Sequence, residues 1–219
     1  MRLGVISDVH GNLVALDAVL DDMPPVDVLV CAGDVVGYGP WPGDCVDAVR
    51  SRDVPTVKGN HDRAVASGSA FRFNAMARAG VDYAREVLGD DDLAWLDGLP
   101  TERTVADGRV RIVHGHPDDP DHYTYPDEFS GSMLGDEDAL IMGHTHVQAQ
   151  ETFPEGVVLN PGSVGQPRDR DPRAAYAILD LDDLSVEERR VEYDIEAVQR
   201  AVEDAGLPSR IGSRLAEGR

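Results

Sequence analysis

The chain has 219 residues, 42% of them apolar, enough to bury a sizeable core, and one domain over residues 1–219 is the natural expectation. It carries 41 acidic residues against 20 basic ones, a formal charge of -21, and Lys58 is its only lysine. That balance argues against nucleic acid as a partner, because such binding rests on clustered Lys and Arg, and it suits a salt-adapted cytoplasm, where a Debye length of about 3 Å at 1 M salt screens the repulsion.

Residues 3–6 form an apolar, β-prone run that ends at Asp8-Val9-His10. A helix is predicted over residues 12–22, with Leu13, Leu16, Val19 and Leu20 on one face and Pro24-Pro25 as its stop. A buried strand over 26–32 leads to Gly33-Asp34. A turn and helix over 40–52 precede a strand over 54–57, which leads to Gly59-Asn60-His61-Asp62. This βαβαβ order predicts parallel strands with right-handed crossovers. The stretch 62–98 reads as helical, with amphipathic segments at 74–88 and 90–96.

The second half turns β-rich. Strands are predicted over 102–105, 110–113, 139–142, 148–153, 157–160, 175–181 and 186–192, with a closing helix over 194–205. The strand at 110–113 runs into His114-Gly115-His116, and that at 139–142 into Gly143-His144-Thr145-His146. A loop from Pro117 to about Phe129 is long enough for function to be expected of it, and His122, Tyr123 and Tyr125 either line a pocket there or pack the loop. Cys31 and Cys45, the only cysteines, read as small buried hydrophobes and offer no thiolate zinc site. The first residues enter a strand directly, with no basic segment or long apolar run, so the expectation is a cytoplasmic protein without a membrane span. Parallel βα units followed by many strands point to an α/β fold of two sheets packed face to face with helices outside.

Each polar cluster stands just past a strand, and ligands of open α/β sheets gather outside the carboxyl ends of the strands. Taken singly, the clusters have plainer readings. Asp8 and Asp34 suit helix N-caps, Asn60 suits a turn, and His114 suits a hydrogen-bonded core histidine. Taken together, their carboxylates, imidazoles and amide oxygen suit a borderline divalent metal, with manganese, iron, nickel and zinc all possible. Asp8, His10, Asp34, Asn60, His114, His144 and His146 are too many donors for one ion. With Asp34 shared, two ions receive four protein ligands each. Such a pair, about 3.5–4 Å apart, clamps an in-line phosphoryl displacement.

The set Asp8-x-His10, Gly33-Asp34, Gly59-Asn60-His61-Asp62, His114 and Gly143-His144-x-His146 resembles the calcineurin-like metallophosphoesterases, with all five blocks in family order. The stretch from Asn160 to Arg168 resembles the small prokaryotic phosphodiesterase branch of that superfamily. The resemblance implies a four-layer αββα sandwich of two mixed sheets flanked by helices. It implies a first metal on Asp8, His10, Asp34 and His146 and a second on Asp34, Asn60, His114 and His144, most readily Mn²⁺. Water or hydroxide between the ions would attack phosphorus, His61 would protonate the leaving oxygen, and Asp62 would orient His61. Asn12, Arg63, His116 and Arg168 are candidates for substrate contact, although Arg168 also suits a structural ion pair.

Two divalent ions outweigh the charges of Asp8 and Asp34, so the centre stays positive and a small phosphodiester or phosphomonoester fits it. Protein phosphatases and nucleotide-polyphosphate hydrolases share these motifs. A non-catalytic, metal-bound scaffold is the reading from another class, and the presence of His61 counts against it. Composition and motifs leave the oligomeric state open.

Overall fold

Alternation of side chains along the strands decides how the layers stack. In β1 (Arg2–Ile6), Leu3 and Val5 point to one face and Ile6 to the other. The pattern recurs in β2 (Val28–Cys31), where Val30 lies on the face of Leu3 and Cys31 on that of Ile6. The computed structural model describes residues 1–71 and 73–219. In it, β1 and β2 pair in parallel, and β8 (Ala174–Asp180) runs antiparallel on the other side of β1, followed by β9 (Ser185–Val191). The first sheet therefore has the order β2-β1-β8-β9.

The second sheet has the order β3-β4-β5-β7-β6. Its strands are β3 (Glu102–Val105), β4 (Val110–Val113), β5 (Ala139–Ile141), β6 (Ala149–Phe153) and β7 (Gly156–Asn160). Here β4, β5 and β7 are parallel, with antiparallel β3 and β6 at the edges. Val110, Ile112, Ala139, Ile141, Val157 and Leu159 meet Leu3, Val5, Val30, Ala177 and Leu179 in one buried slab between the sheets. Fully burying such aliphatic side chains contributes roughly 1.5–3 kcal/mol each, which makes this slab a firmly held support for the loops at its edge.

Helices cover the outer face of the first sheet. These are α1 (Leu13–Asp22), α2 (Pro42–Arg50), α3 (Asn60–Ser67), α4 (Ala75–Val87) and α5 (Asp90–Gly98). Leu16, Val46, Val65, Val81 and Leu96 from these five helices join Ile6, Tyr176 and Ile178 in a second cluster. The closing helices α6 (Ile195–Asp204) and α7 (Ser209–Ser213) bury Val198, Val202 and Ile211 against Tyr38 and Ala77. On the outer face of the second sheet, Leu140, Met142 and Val158 pack on Phe129, Met133 and Leu134, next to two short 3-10 turns. The architecture is thus α/β, two mixed sheets flanked by helices.

Two expectations shift in detail. The strand expected over residues 54–57 is reduced to a single parallel bridge between Cys31 and Thr56. Pro55 has no N–H to extend a ladder, and only its carbonyl is used, by Cys31 N–H. The run of parallel strands in the first half therefore stops at two, and β8, from far along the chain, takes the place beside β1. The parallel strands β1, β2, β4, β5 and β7 release their carboxyl ends along one edge of the sandwich.

Candidate metal centre

The loops at that edge are tightly wound. Asp8 has φ of 53°, His10 of 50°, Asp34 of 53°, His144 of 69° and His146 of 60°. For residues other than glycine this left-handed region costs about 1–2 kcal/mol apiece, and such strain concentrates where function requires it. Each turn has a tie that holds it. Ser7 Oγ and the His144 N–H both donate to Asp8 Oδ2, at 2.7 and 3.0 Å. Ser163 Oγ donates to the Asp8 carbonyl at 2.7 Å. Asn160 Nδ2 donates to the Gly143 carbonyl at 2.6 Å and to Thr145 Oγ1 at 3.0 Å, which fixes the turn carrying His144 and His146. A Cβ at Gly59 would collide with Asp34 Oδ1, so only glycine permits this approach.

The ring tautomers follow from the outer nitrogens. Nδ1 of His10 donates to the Val36 carbonyl at 3.2 Å, Nδ1 of His114 to that of Ala32 at 2.7 Å, and Nδ1 of His146 to that of Gln166 at 2.6 Å. Each ring, when neutral, then presents a bare Nε2 lone pair to the interior. These lone pairs face other acceptors. His10 Nε2 and His146 Nε2 stand 3.0 Å apart, and Asp8 Oδ1 lies 3.2 Å from the latter. Asp34 Oδ2 stands 3.7 Å from His10 Nε2 and 3.3 Å from His114 Nε2, which is also 3.2 Å from Asn60 Oδ1. His144 donates Nε2–H to the Asp121 carbonyl at 3.3 Å, which leaves its Nδ1 as the free lone pair.

Acceptors gathered around acceptors call for positive charge. Asp8 Oδ1 is buried and has no hydrogen-bond partner among the described residues. Three groups have ligand atoms close enough to share an ion, namely Asp8 with His10 and His146, His10 with Asp34 and His61, and Asp34 with His114 and His144. The proton affinities point the same way. Burial opposes charge on His114, yet the adjacent Asp34 and Asp8 carboxylates carry its ring up to about 10. Burial drives the His144 ring down to about 3, with His114 adding to the effect. Burial also opposes ionisation of Asp8, and His146 beside it more than offsets this, holding the carboxyl well below the usual range. Two ionised carboxylates therefore hold a proton on His114, where a divalent ion would serve instead. The donor set of carboxylate, imidazole and amide oxygen fits a borderline divalent metal.

His61 stands over this group. Its ring lies 4.8 Å from that of His10, 4.7 Å from Tyr38 and 4.6 Å from Phe73, centroid to centroid. The His61 backbone N–H donates to Asp34 Oδ1 at 2.7 Å, while ring Nδ1 has no partner among the described residues. The bond expected from Asp62 to His61 is not formed. Asp62 instead accepts from the backbone N–H groups of Asp34, Gly59 and Val36, at 2.8, 3.0 and 3.2 Å. An Asp two positions after Asn60, at the third position of a helix, faces back toward the helix start. Its carboxylate therefore reaches the turns beneath Asp34 and not the neighbouring ring.

The four expected substrate contacts divide. Asn12 is committed to structure, since Oδ1 caps α1 at Ala15 N–H and Nδ2 donates to the Gly165 carbonyl. His116 joins none of the three ligand groups and packs edge-on to His122. Arg63 pairs with Asp121 beside Asn60 and His144. Arg168 donates to Gln166 Oε1 at 2.7 Å and to Tyr38 Oη at 3.4 Å, and it has no carboxylate partner among the described residues. His122, in the long loop, is paired with Glu128 at 2.8 Å. Ser7, Tyr38, Phe73, Asn160 and Gln166 also shape the site without having been singled out as site residues. Of these, Tyr38 had a visible signal, an aromatic between Gly37 and Gly39 just past Asp34.

Comparison with known proteins gives a consistent picture. The family model of the calcineurin-like phosphoesterase superfamily domain matches residues 1–184. An uncharacterized protein of Methanocaldococcus jannaschii is 34% identical over 99% of this chain and 98% of its own length. Phosphodiesterase YfcE of Escherichia coli K12 is 29% identical over 85% of this chain and 91% of its own. The crystal structure of a metallophosphoesterase from Sphaerobacter thermophilus is 38% identical and superposes with a TM-score of 0.87, covering 100% of this chain and 99% of that one.

Proposed function

Since the chain belongs to the calcineurin-like phosphoesterase superfamily, we propose that it is a dinuclear metal-dependent phosphoesterase that hydrolyses small phosphodiesters or phosphomonoesters. The observation that carries this reading is the convergence of the Nε2 atoms of His10, His114 and His146 on Asp34 Oδ2 and on Asp8 Oδ1, which has no hydrogen-bond partner among the described residues. Asp8, His10, Asp34 and His146 would hold one ion. Asp34, Asn60, His114 and His144 would hold the other, with Asp34 common to both. Mn²⁺ is the first choice, with iron, nickel and zinc chemically admissible. When bound, the ions supply Lewis acidity to the phosphoryl oxygens and make water nucleophilic at neutral pH.

The chain's own residues do the rest. Arg168, with its guanidinium steadied by Gln166 and Tyr38, offers its remaining donors to phosphoryl oxygens. Burial pushes the His61 ring down to about 4, so it is neutral near pH 7 and acts as a hydrogen-bond donor toward the leaving oxygen. A phosphoryl anion brought beside the ring raises its proton affinity, so the ring can take up a proton on its bare nitrogen and, as the imidazolium, deliver one to the leaving oxygen, returning to the neutral form. Asp62 acts on the loops, holding the peptide N–H groups of Asp34 and Gly59 so that the two ligand turns stay in register.

A small substrate agrees with a charge of -21, which repels polyanions. The name of the E. coli relative supports a phosphodiester. Residues 195–219 fit a single domain, since α6 and α7 pack on Tyr38 and Ala77. A cytoplasmic setting is consistent with the finding that, among the described residues, no helix is long and apolar enough to cross a membrane.

Purified protein with Mn²⁺, assayed on bis-p-nitrophenyl phosphate and p-nitrophenyl phosphate, tests the reading. His61→Ala is expected to keep its metal content and to lose about 10²–10⁴-fold in turnover. Turnover equal to the native enzyme refutes the acid role, and no hydrolysis by the native, metal-loaded protein refutes the activity.

A further inference from the structure

A cavity of about 220 Å³ opens directly beside the metal centre, with Asn60 and His144 in its lining. Its remaining walls come from two separate loops. Phe71 and Phe73 precede α4, and Tyr123 belongs to the loop after His116. The Arg63–Asp121 ion pair joins the two sides. Tyr123 stacks on His144, with centroids 3.8 Å apart and planes 25° apart, so one face of its ring is covered by a metal-ligand candidate. The residue is nevertheless 43% exposed. Phe71 is 82% exposed, the most of any large hydrophobic side chain described.

Aromatics are only 5% of this chain, yet three of them line one small cavity against two candidate ligands. Phe73 has a packing role, through its contact with His61 and the helical core. Phe71 joins none of the core clusters among the described residues. An exposed aromatic without a packing role, on the rim of a reactive site, is placed to bind a ligand. The volume lies below the roughly 300–1,000 Å³ of pockets that enclose a whole drug-sized molecule. It suits one ring system. Stacking faces select a planar ring over an alkyl chain, and the Arg63 and Asp121 groups offer donors and acceptors to a ring edge. The overall negative charge disfavours a polymer of such units.

From this arrangement we infer that the cleft beside Asn60 and His144 holds a heteroaromatic ring of the substrate, stacked on Phe71 and Tyr123 while the phosphoryl group sits at the metal centre. The preferred substrates are then mononucleotide-sized esters carrying a nucleobase or a ring like it. The inference rests on the phosphoesterase reading for the position of the phosphoryl group. Phe71 and Tyr123 are assigned here to specificity, since neither belongs to the candidate ligand groups or supplies the proton for the leaving oxygen.

Binding can be measured without turnover. Adenosine monophosphate and ribose 5-phosphate share a phosphate and a ribose and differ by the base. Calorimetric titration of the His61→Ala protein in Mn²⁺, in which turnover is suppressed, is expected to show adenosine monophosphate binding about tenfold or more tightly, as stacking on aromatic side chains provides. Phe71→Ala, checked for folding by circular dichroism, should reduce that preference severalfold and leave ribose 5-phosphate unchanged, while Tyr123→Ala, which also uncovers His144, should reduce the preference severalfold. Tyr123→Phe, which keeps the ring, should retain the preference. Equal affinity for the two ligands, no binding of either, or variants that weaken both alike would overturn the inference. A preserved preference with no hydrolysis of bis-p-nitrophenyl phosphate by the native protein would instead contradict the phosphoesterase reading alone.

Discussion

The slab between the sheets and the rim above it are built on opposite rules. In the slab, Leu3, Val5, Ile112, Ile141 and Leu179 follow a period of two, and their burial stabilises whatever sits on them. At the rim, five ligand candidates take left-handed backbone angles, lone pairs face lone pairs, and Asp8 Oδ1 is buried without a partner among the described residues. The rim is unfavourable as a folded surface and favourable as a cage for cations. The contrast shows why the reactive loops need so rigid a support, because each strained turn springs from the end of a strand anchored in the slab.

Substitutions can break this contrast from either side. The largest effect is expected from Asp62→Ala, which strands three buried backbone N–H groups at the base of the rim. It should cost about 3–9 kcal/mol at about 1–3 kcal/mol per unsatisfied donor, and it should also weaken metal binding. Chemical denaturation and metal titration of the same sample would show it; unchanged metal affinity would separate Asp62 from the site. Leu179→Ala, deep in the slab, should cost about 2–5 kcal/mol while leaving turnover per folded molecule at the native level. A matching fall in kcat would mean that slab and rim are not separable.

Gly59→Ala probes the joint between the two regions. Its Cβ would press on Asp34, so about 1–3 kcal/mol of overpacking strain is expected, together with weaker metal binding. Unaltered metal affinity in calorimetry would show that Asp34 has more freedom than its surroundings indicate. The smallest effect for any one residue is the diffuse one. Charge repulsion over the whole acidic surface should be relieved by salt, so the thermal midpoint is expected to rise steadily with KCl up to about 2 M. A flat curve would remove the case for salt adaptation.

Both regions were legible in the residue pattern to different depths. The ligand turns could be read because each polar cluster follows a short apolar run, and the sheet edge is where such clusters converge. The place of β8 could not be read, because a period of two fixes a strand's faces and not its neighbours; its pairing with β1 joins residues far apart in the chain. The expected strand over 54–57 failed on Pro55, whose missing N–H outweighs the β propensity of its neighbours. Asn12 and Asp62 look like polar residues of a reactive site, yet their hydrogen bonds go to backbone groups. The expected helix begins at residue 62, whereas α3 begins at Asn60, and it is that start which turns Asp62 back toward the backbone. The aromatic cleft is assembled from loops and has no periodic signature at all.

Diffraction from crystals grown with Mn²⁺, recorded to exploit its anomalous signal, addresses the central claim most directly. Two peaks about 3.5–4 Å apart are expected, one on either side of Asp34 and each within bonding reach of its histidines. Absence of density between those rings, or ions bound elsewhere on the acidic surface, would contradict the account.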